Sequence, residues 1–162
     1  MKTMTLGLAV CCMLACASAP PPPPVAAADS GQPKMQAALQ ALQQAMMEAQ
    51  AASPNKGGHR EQALGFIQQA MDAVNAGMQY AAAHPGEIGA PEGPAPPEPV
   101  NESVPGAERQ PHMWRAVVAL REARRQLLEA KHDKGGYRMQ AIALTQQAIT
   151  QLREGIAFAN RR

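Results

Sequence analysis

Aromatic side chains are almost missing from this chain: one Trp, two Tyr and two Phe in 162 residues. That scarcity leaves no material for a large aromatic core or an aromatic-lined cofactor pocket. Cysteine is confined to Cys11, Cys12 and Cys16. The sequence beyond them therefore holds no disulfide, thiolate metal site or cysteine nucleophile. No C-x-x-C-H occurs, which excludes covalent attachment of a c-type haem. Serine is limited to Ser18, Ser30, Ser53 and Ser103, none of them in a G-x-S-x-G elbow. There is no H-E-x-x-H either. With no catalytic constellation legible, the chain reads as a non-enzyme.

What remains is rich in Ala, Leu, Met and Gln, all strong helix formers, and poor in the β-branched residues that favour strands. An all-α fold is the expectation. The first residues form a separate unit. Lys2 supplies a positive charge, and Met4 to Ala15 is an uncharged apolar run. That run is too short to span a bilayer but suits a secretory signal, and it stops in Pro20 to Pro24. Met13-Leu14-Ala15-Cys16 resembles a bacterial lipobox, in which the cysteine is lipidated and becomes the new N-terminus. The rival is ordinary cleavage after Ala28, at Ala26-Ala27-Ala28. The lipobox is the reading taken here: residues 1–28 are signal peptide and Pro-rich tether, Cys16 is the lipidation site, and the protein is a periplasmic, outer-membrane lipoprotein.

An internal repeat dominates the rest. A shift of 78 positions (Lys56 onto Lys134) aligns residues 33–82 with 111–160 without a gap, and about a third of the pairs are identical. PKMQAALQAL falls on PHMWRAVVAL, and NKGGHREQA on DKGGYRMQA. Each copy reads as helix, tight turn, helix. Pro33 and Pro111 suit a first helical turn. Gly57-Gly58 and Gly135-Gly136 supply the positive φ expected to end one helix and reverse the chain. In the second helix of each copy, Leu64, Ile67, Met71, Val74 and Met78 recur at heptad spacing, as do Ile142, Thr145, Ile149, Leu152 and Ile156. Small residues beside that seam widen the apolar arc, so each such helix should touch more than one neighbour. One hairpin of about fifty residues buries too little to be stable alone. Residues 33–84 and 112–162 should therefore pack as an up-down four-helix bundle, in a monomer or a homodimer. Residues 85–111, rich in Pro, Gly and Glu, read as a disordered, extended linker that either spans the bundle or carries a binding segment.

The D/N-K-G-G-H/Y-R turn, with QA and QQA in the helix after it, resembles a widespread type of exported bacterial helical-hairpin protein that often carries DKGGHR there. The resemblance implies export and fold. A looser likeness is to small periplasmic metal-binding bundles with His-bearing hairpins.

Charge is unevenly spread. From residue 111 onward ten Arg and Lys face four acids, whereas residues 85–110 carry five Glu against Arg109 alone. The basic hairpin could be neutralised by the linker or could meet an anionic surface; with export expected, nucleic acid is not a partner. Up-down topology would gather His84, His112, Met35 and Met113 at one end of the bundle. Two imidazoles and two thioethers together suit Cu(I), so copper is the alternative cofactor to none at all. Trp114, Val118, Arg121 and Arg125 fall outside the apolar face of their helix. They form a candidate contact patch for an envelope protein, unless linker prolines cover Trp114 and linker glutamates meet the arginines. Arg60 and Arg138 open their helices, where a cation is poorly placed. They are expected to hydrogen-bond the last carbonyls of the preceding helix.

Overall fold

A computed structural model describes residues 32–54, 57–85, 105–130 and 135–161. The signal and tether, the greater part of the linker, His132 and Asp133 lie outside the described residues. Four helices form a bundle: α1 (Pro33–Ala51), α2 (His59–Ala83), α3 (Pro111–Glu129) and α4 (Tyr137–Asn160). There is no strand among the described residues. No described helix is long and apolar enough to cross a membrane.

Both hairpins start as the sequence indicates. Pro33 and Pro111 sit in the first turn of α1 and α3, where a missing N–H costs no helical hydrogen bond. The glycine pairs behave differently from expectation. All four have positive φ, from 66° to 81°. Yet α1 and α3 have already stopped at Ala51 and Glu129, followed by extended Ala52 and Ala130. The glycines open the next helices: Gly58 and Gly136 are the left-handed N-caps of α2 and α4. A side chain at those φ values would be strained.

The helix ends are closed by the arginines instead. Arg60 Nη1 donates to the carbonyl of Ala52 at 2.6 Å. At the equivalent place Arg138 Nη1 donates to Leu127 and Ala130 at 3.0 Å and to Leu128 at 3.3 Å. The last carbonyls of a helix have no partner within it, and a guanidinium reaching back across the turn satisfies them.

Each helix packs most closely against its own duplicate, α1 on α3 and α2 on α4, and α1–α2 and α3–α4 complete the square. The reason lies in residue size. Ala38, Leu42, Ala45 and Ala49 on α1 meet Ala116, Leu120, Ala123 and Leu127 on α3, all with no exposed surface. Small faces let two helix axes approach, and matched faces do so along the whole length. The wide arc on α2 is used as expected, since it touches both α1 and α4. Its burial centres on Ala63, Ile67, Ala70, Val74 and Gly77, while Leu64, Met71 and Met78 remain partly buried against the core. Gly77 favours this approach: a Cβ there would lie 3.1 Å from Tyr137 Cβ and 3.2 Å from Met35 Cε, closer than ordinary van der Waals contact.

The two hairpins run in opposite directions. Lys34, at the start of α1, pairs at 2.5 Å with Glu129, at the end of α3. His112, at the start of α3, meets Glu48 near the end of α1 at 2.8 Å. Likewise His59 opens α2 beside Phe158 at the end of α4, and Tyr80 near the end of α2 lies beside Tyr137 at the start of α4. These last two pairs are repeat equivalents: position 59 maps onto 137, and 80 onto 158. Their ring centroids are 6.3 and 6.0 Å apart. A pseudo-two-fold axis across the bundle therefore exchanges the hairpins.

One consequence is the connection. α2 spans about 37 Å at about 1.5 Å per residue. Pro85 follows α2 at one end of the bundle, while Pro105 sits at the other, where its carbonyl accepts a hydrogen bond from Asn160 Nδ2 at 2.8 Å. The usual bundle loop of about 2–8 residues could not join them. The last part of the linker is not extended: residues 105–110 turn at Gly106 (φ 78°) into a short 3₁₀ helix, Ala107–Arg109, against α3. At that φ a side chain would be strained, and a Cβ on Gly106 would run into the Asn160 side chain, so glycine suits this corner.

Cutting the connection between residues 85 and 105 to about four residues, within the ordinary range for a bundle loop, removes its ability to span the bundle. The first hairpin then has to pair with the second hairpin of another copy. Sedimentation of the shortened chain should show a helical dimer where the parent is a monomer. A helical monomer would contradict the reversed hairpins.

Candidate functional site

The proposed copper ligands are not gathered. Met35 and His84 lie at the end that holds Tyr80 and Tyr137, whereas Met113 and His112 lie at the end that holds Glu48, His59 and Phe158. Along α1 alone, the level of Met35 and that of Glu48, the partner of His112, are about 20 Å apart at about 1.5 Å per residue. The reversed hairpins are the physical reason for this correction, because a shared end requires the two hairpins to run the same way. Both methionines are core residues besides, with Met35 3% and Met113 0% exposed.

Each described histidine has a role within the fold. His84 stacks on Tyr80 with ring centroids 4.1 Å apart, and its Nδ1 lies 2.9 Å from the Tyr80 carbonyl, which caps the end of α2. His112 Nδ1 faces Glu48 Oε2. His59 Nδ1 is 2.9 Å from Gln151 Oε1 and 3.4 Å from Glu154 Oε2. The contacts of His59 and His112 both cross from one hairpin to the other, at the same end of the bundle. Among the described residues no three His, Cys, Asp or Glu side chains come close enough together to hold a metal ion.

The contact patch on α3 is partly assembled. Trp114 is half-buried and packs against the core, with the Arg121 guanidinium 5.3 Å from its ring centre. A cation over an indole face is favoured by the ring quadrupole. Val118 is 49% exposed, one turn from Trp114. Arg125 is engaged by two glutamates instead. Its guanidinium grips Glu122 at 2.6 Å and Glu129 at 2.7 Å, and Glu129 also holds Lys34. The Lys34 ammonium and Arg125 keep the Glu129 carboxyl below the ordinary carboxylate range; Arg125, then Gln126, do the same for Glu122. This cluster joins the hairpins across the surface of α1 and α3.

One residue was not singled out by the outer-face pattern. Arg124 is 2% exposed and lies on the core face of α3, at the position where the first copy has Met46. The signal was present, since Met113, Val117, Leu120, Arg124 and Leu127 follow one another at spacings of four and three. Arg138 is similarly buried at 4%. Much of the positive charge of the second hairpin is thus used internally.

The two helix-closing arginines differ in how much they carry. Arg138 is buried and serves three carbonyls, whereas the Arg60 side chain is 19% exposed and serves one. Hydrogen bonds to a charged donor are worth about 1.5–3 kcal/mol each, less where solvent competes. Arg138→Met should lower unfolding stability in urea by about 2–4 kcal/mol, the cost of leaving buried carbonyls unmet. Arg60→Met should cost about 1 kcal/mol or less. Equal losses would show that the two turns are not closed in the way described.

No protein-family model, curated protein or solved structure matches this chain.

Proposed function

We propose that this is an exported, non-enzymatic helical bundle that serves as a binding or structural module tethered to the bacterial envelope. One observation carries the non-enzymatic reading: among the described residues, four ionisable side chains at the two ends of the bundle are engaged in joining one hairpin to the other. His59 and His112 reach across at one end, and Lys34 with Glu129 at the other. Arg138 closes a helix, and Arg121 lies on Trp114. Nucleophilic or general acid–base catalysis needs such groups free to meet a substrate.

The envelope reading rests on the leader. Lipidation at Cys16 would leave a short tether of small residues and proline before α1 begins at Pro33. Proline-rich chain is a semi-rigid spacer, so it would hold the bundle off the membrane surface. Alanine rather than aspartate after the cysteine suits an outer-membrane destination. The partner class that fits is another envelope protein or an anionic surface, met by side chains not already committed to the bundle. Val118 and Met47 are the large apolar side chains left exposed among the described residues.

Cys16→Ser should move the protein from the membrane fraction to the soluble fraction, and mass spectrometry of the parent should find an acylated N-terminal cysteine. A soluble parent beginning at Asp29 would contradict the anchor.

A further inference from the structure

The two hairpins hold their methionines differently. Met35 and Met113 are repeat equivalents, and both are buried in the core. Met46, Met47, Met71 and Met78 belong to the first hairpin alone, because the shift of 78 positions puts Arg124, Arg125, Ile149 and Ile156 in their places. The second hairpin has Met139 besides, partly buried against the core.

Three of these four lie on one seam. Met46 stands nearly half a turn around α1 from Glu48, which meets α3, with the buried Ala45 and Ala49 between them. It is therefore on the α2 side. Met71 and Met78, seven residues apart, share a stripe of α2. About a third of a turn separates that stripe from His59, which meets α4, and the buried Ile67 and Val74 lie between. The stripe is therefore on the α1 side. All three methionines pack against the core yet remain partly exposed. On the α3–α4 seam the equivalent Arg124, Ile149 and Ile156 are buried. Leu39 and Leu64, set against Val117 and Ile142, show the same difference. The α1–α2 seam is open to small solutes where its duplicate is closed. Met47, off the seam, is 57% exposed.

Residues 33–84 contain no cysteine or tryptophan, so thioethers are the readily oxidised groups of this hairpin. With hydrogen peroxide, a sulfur lone pair attacks one peroxide oxygen. The S–O bond forms as the O–O bond breaks, and the other oxygen leaves as water, carrying both protons. Sulfur gives up the two electrons that the peroxide gains. The product is a sulfoxide, polar and chiral where the side chain was apolar and flexible. At Met47 that oxygen stays in water. At Met46, Met71 or Met78 it is set against apolar neighbours, which costs stability.

We propose that Met46, Met71 and Met78 are an oxidation site for hydrogen peroxide that loosens the first hairpin, with the exposed Met47 reacting ahead of them. Met35 and Met113, in the core, are spared. The second hairpin keeps its seam, having Arg and Ile in these places. Oxidation thus acts on one half of a nearly symmetric bundle. This holds wherever the chain resides and does not rest on the tethered-module reading.

The full chain is treated with hydrogen peroxide. Peptide mass spectrometry follows each methionine, and circular dichroism follows unfolding in urea. Met47 should convert first, then Met46, Met71 and Met78, with Met35 and Met113 slower by about tenfold or more. Conversion of Met47 alone should leave the urea midpoint in place. Conversion of the seam methionines should lower it by about 1 M, and repair by methionine sulfoxide reductases should restore it. A Met46→Leu/Met71→Leu/Met78→Leu variant preserves side-chain volume and retains Met47 and Met139 as controls. Its midpoint should withstand the same dose. If that variant does not fold, recovery of the parent midpoint as the reductases clear the three seam sulfoxides decides. Core methionines oxidised as fast as the seam, a midpoint unmoved once the seam is converted, or an equal loss in the folded Leu variant would overturn the proposal.

Discussion

Packing of each helix against its own duplicate is the constraint on which the rest of the structure depends. The first helices of the two repeats carry nearly the same stripe of Ala and Leu, and such stripes fit best when placed face to face along their full length. Doing so in reverse makes every neighbouring pair antiparallel and places a basic side chain at the start of one helix opposite an acid near the end of its duplicate, as in Lys34 with Glu129 and His112 beside Glu48. The aromatic contacts His59–Phe158 and Tyr137–Tyr80 are then two copies of one interaction. The long connection, the turn at Gly106 and the hydrogen bond from Asn160 to the Pro105 carbonyl are what this arrangement demands of the chain between the repeats.

The helices, the duplication and the bundle were legible in the sequence because each is written in local pattern: prolines at first turns, glycine pairs in register, heptads carried over several turns. The capping arginines were legible too, since a cation recurring at two helix starts calls for a partner elsewhere. The relative direction of the hairpins was not. A linker of this length permits either direction, and the choice is made by how two similar surfaces fit, which no spacing within one helix records. The proposed Met35, His84, Met113 and His112 cluster failed for that reason alone. Arg124 was not legible because its residue type argues for the surface while its 3-4 spacing carries it into the core.

Charge shows the same distance between sequence and surface. An excess of six positive charges on the second hairpin suggests a basic face, yet Arg138 and Arg124 are buried and Arg125 is held by two glutamates. Screening and pairing of this kind leave little long-range field.

The reversed direction of the hairpins can be measured by the distance between two spin labels. Glu61 near the start of α2 and Gln140 near the start of α4 are both exposed and nearly repeat-equivalent. With Cys11, Cys12 and Cys16 changed to Ser, labels at Glu61→Cys and Gln140→Cys report on the two ends. The reversed arrangement separates these positions by about 22 Å along the axis, at about 1.5 Å per residue, before the width of the bundle is added. Hairpins running the same way would place the labelled helices level, about one interhelical spacing of 8–10 Å apart. A distribution centred beyond about 22 Å agrees with the packing of each helix on its duplicate, and one near the interhelical spacing contradicts it.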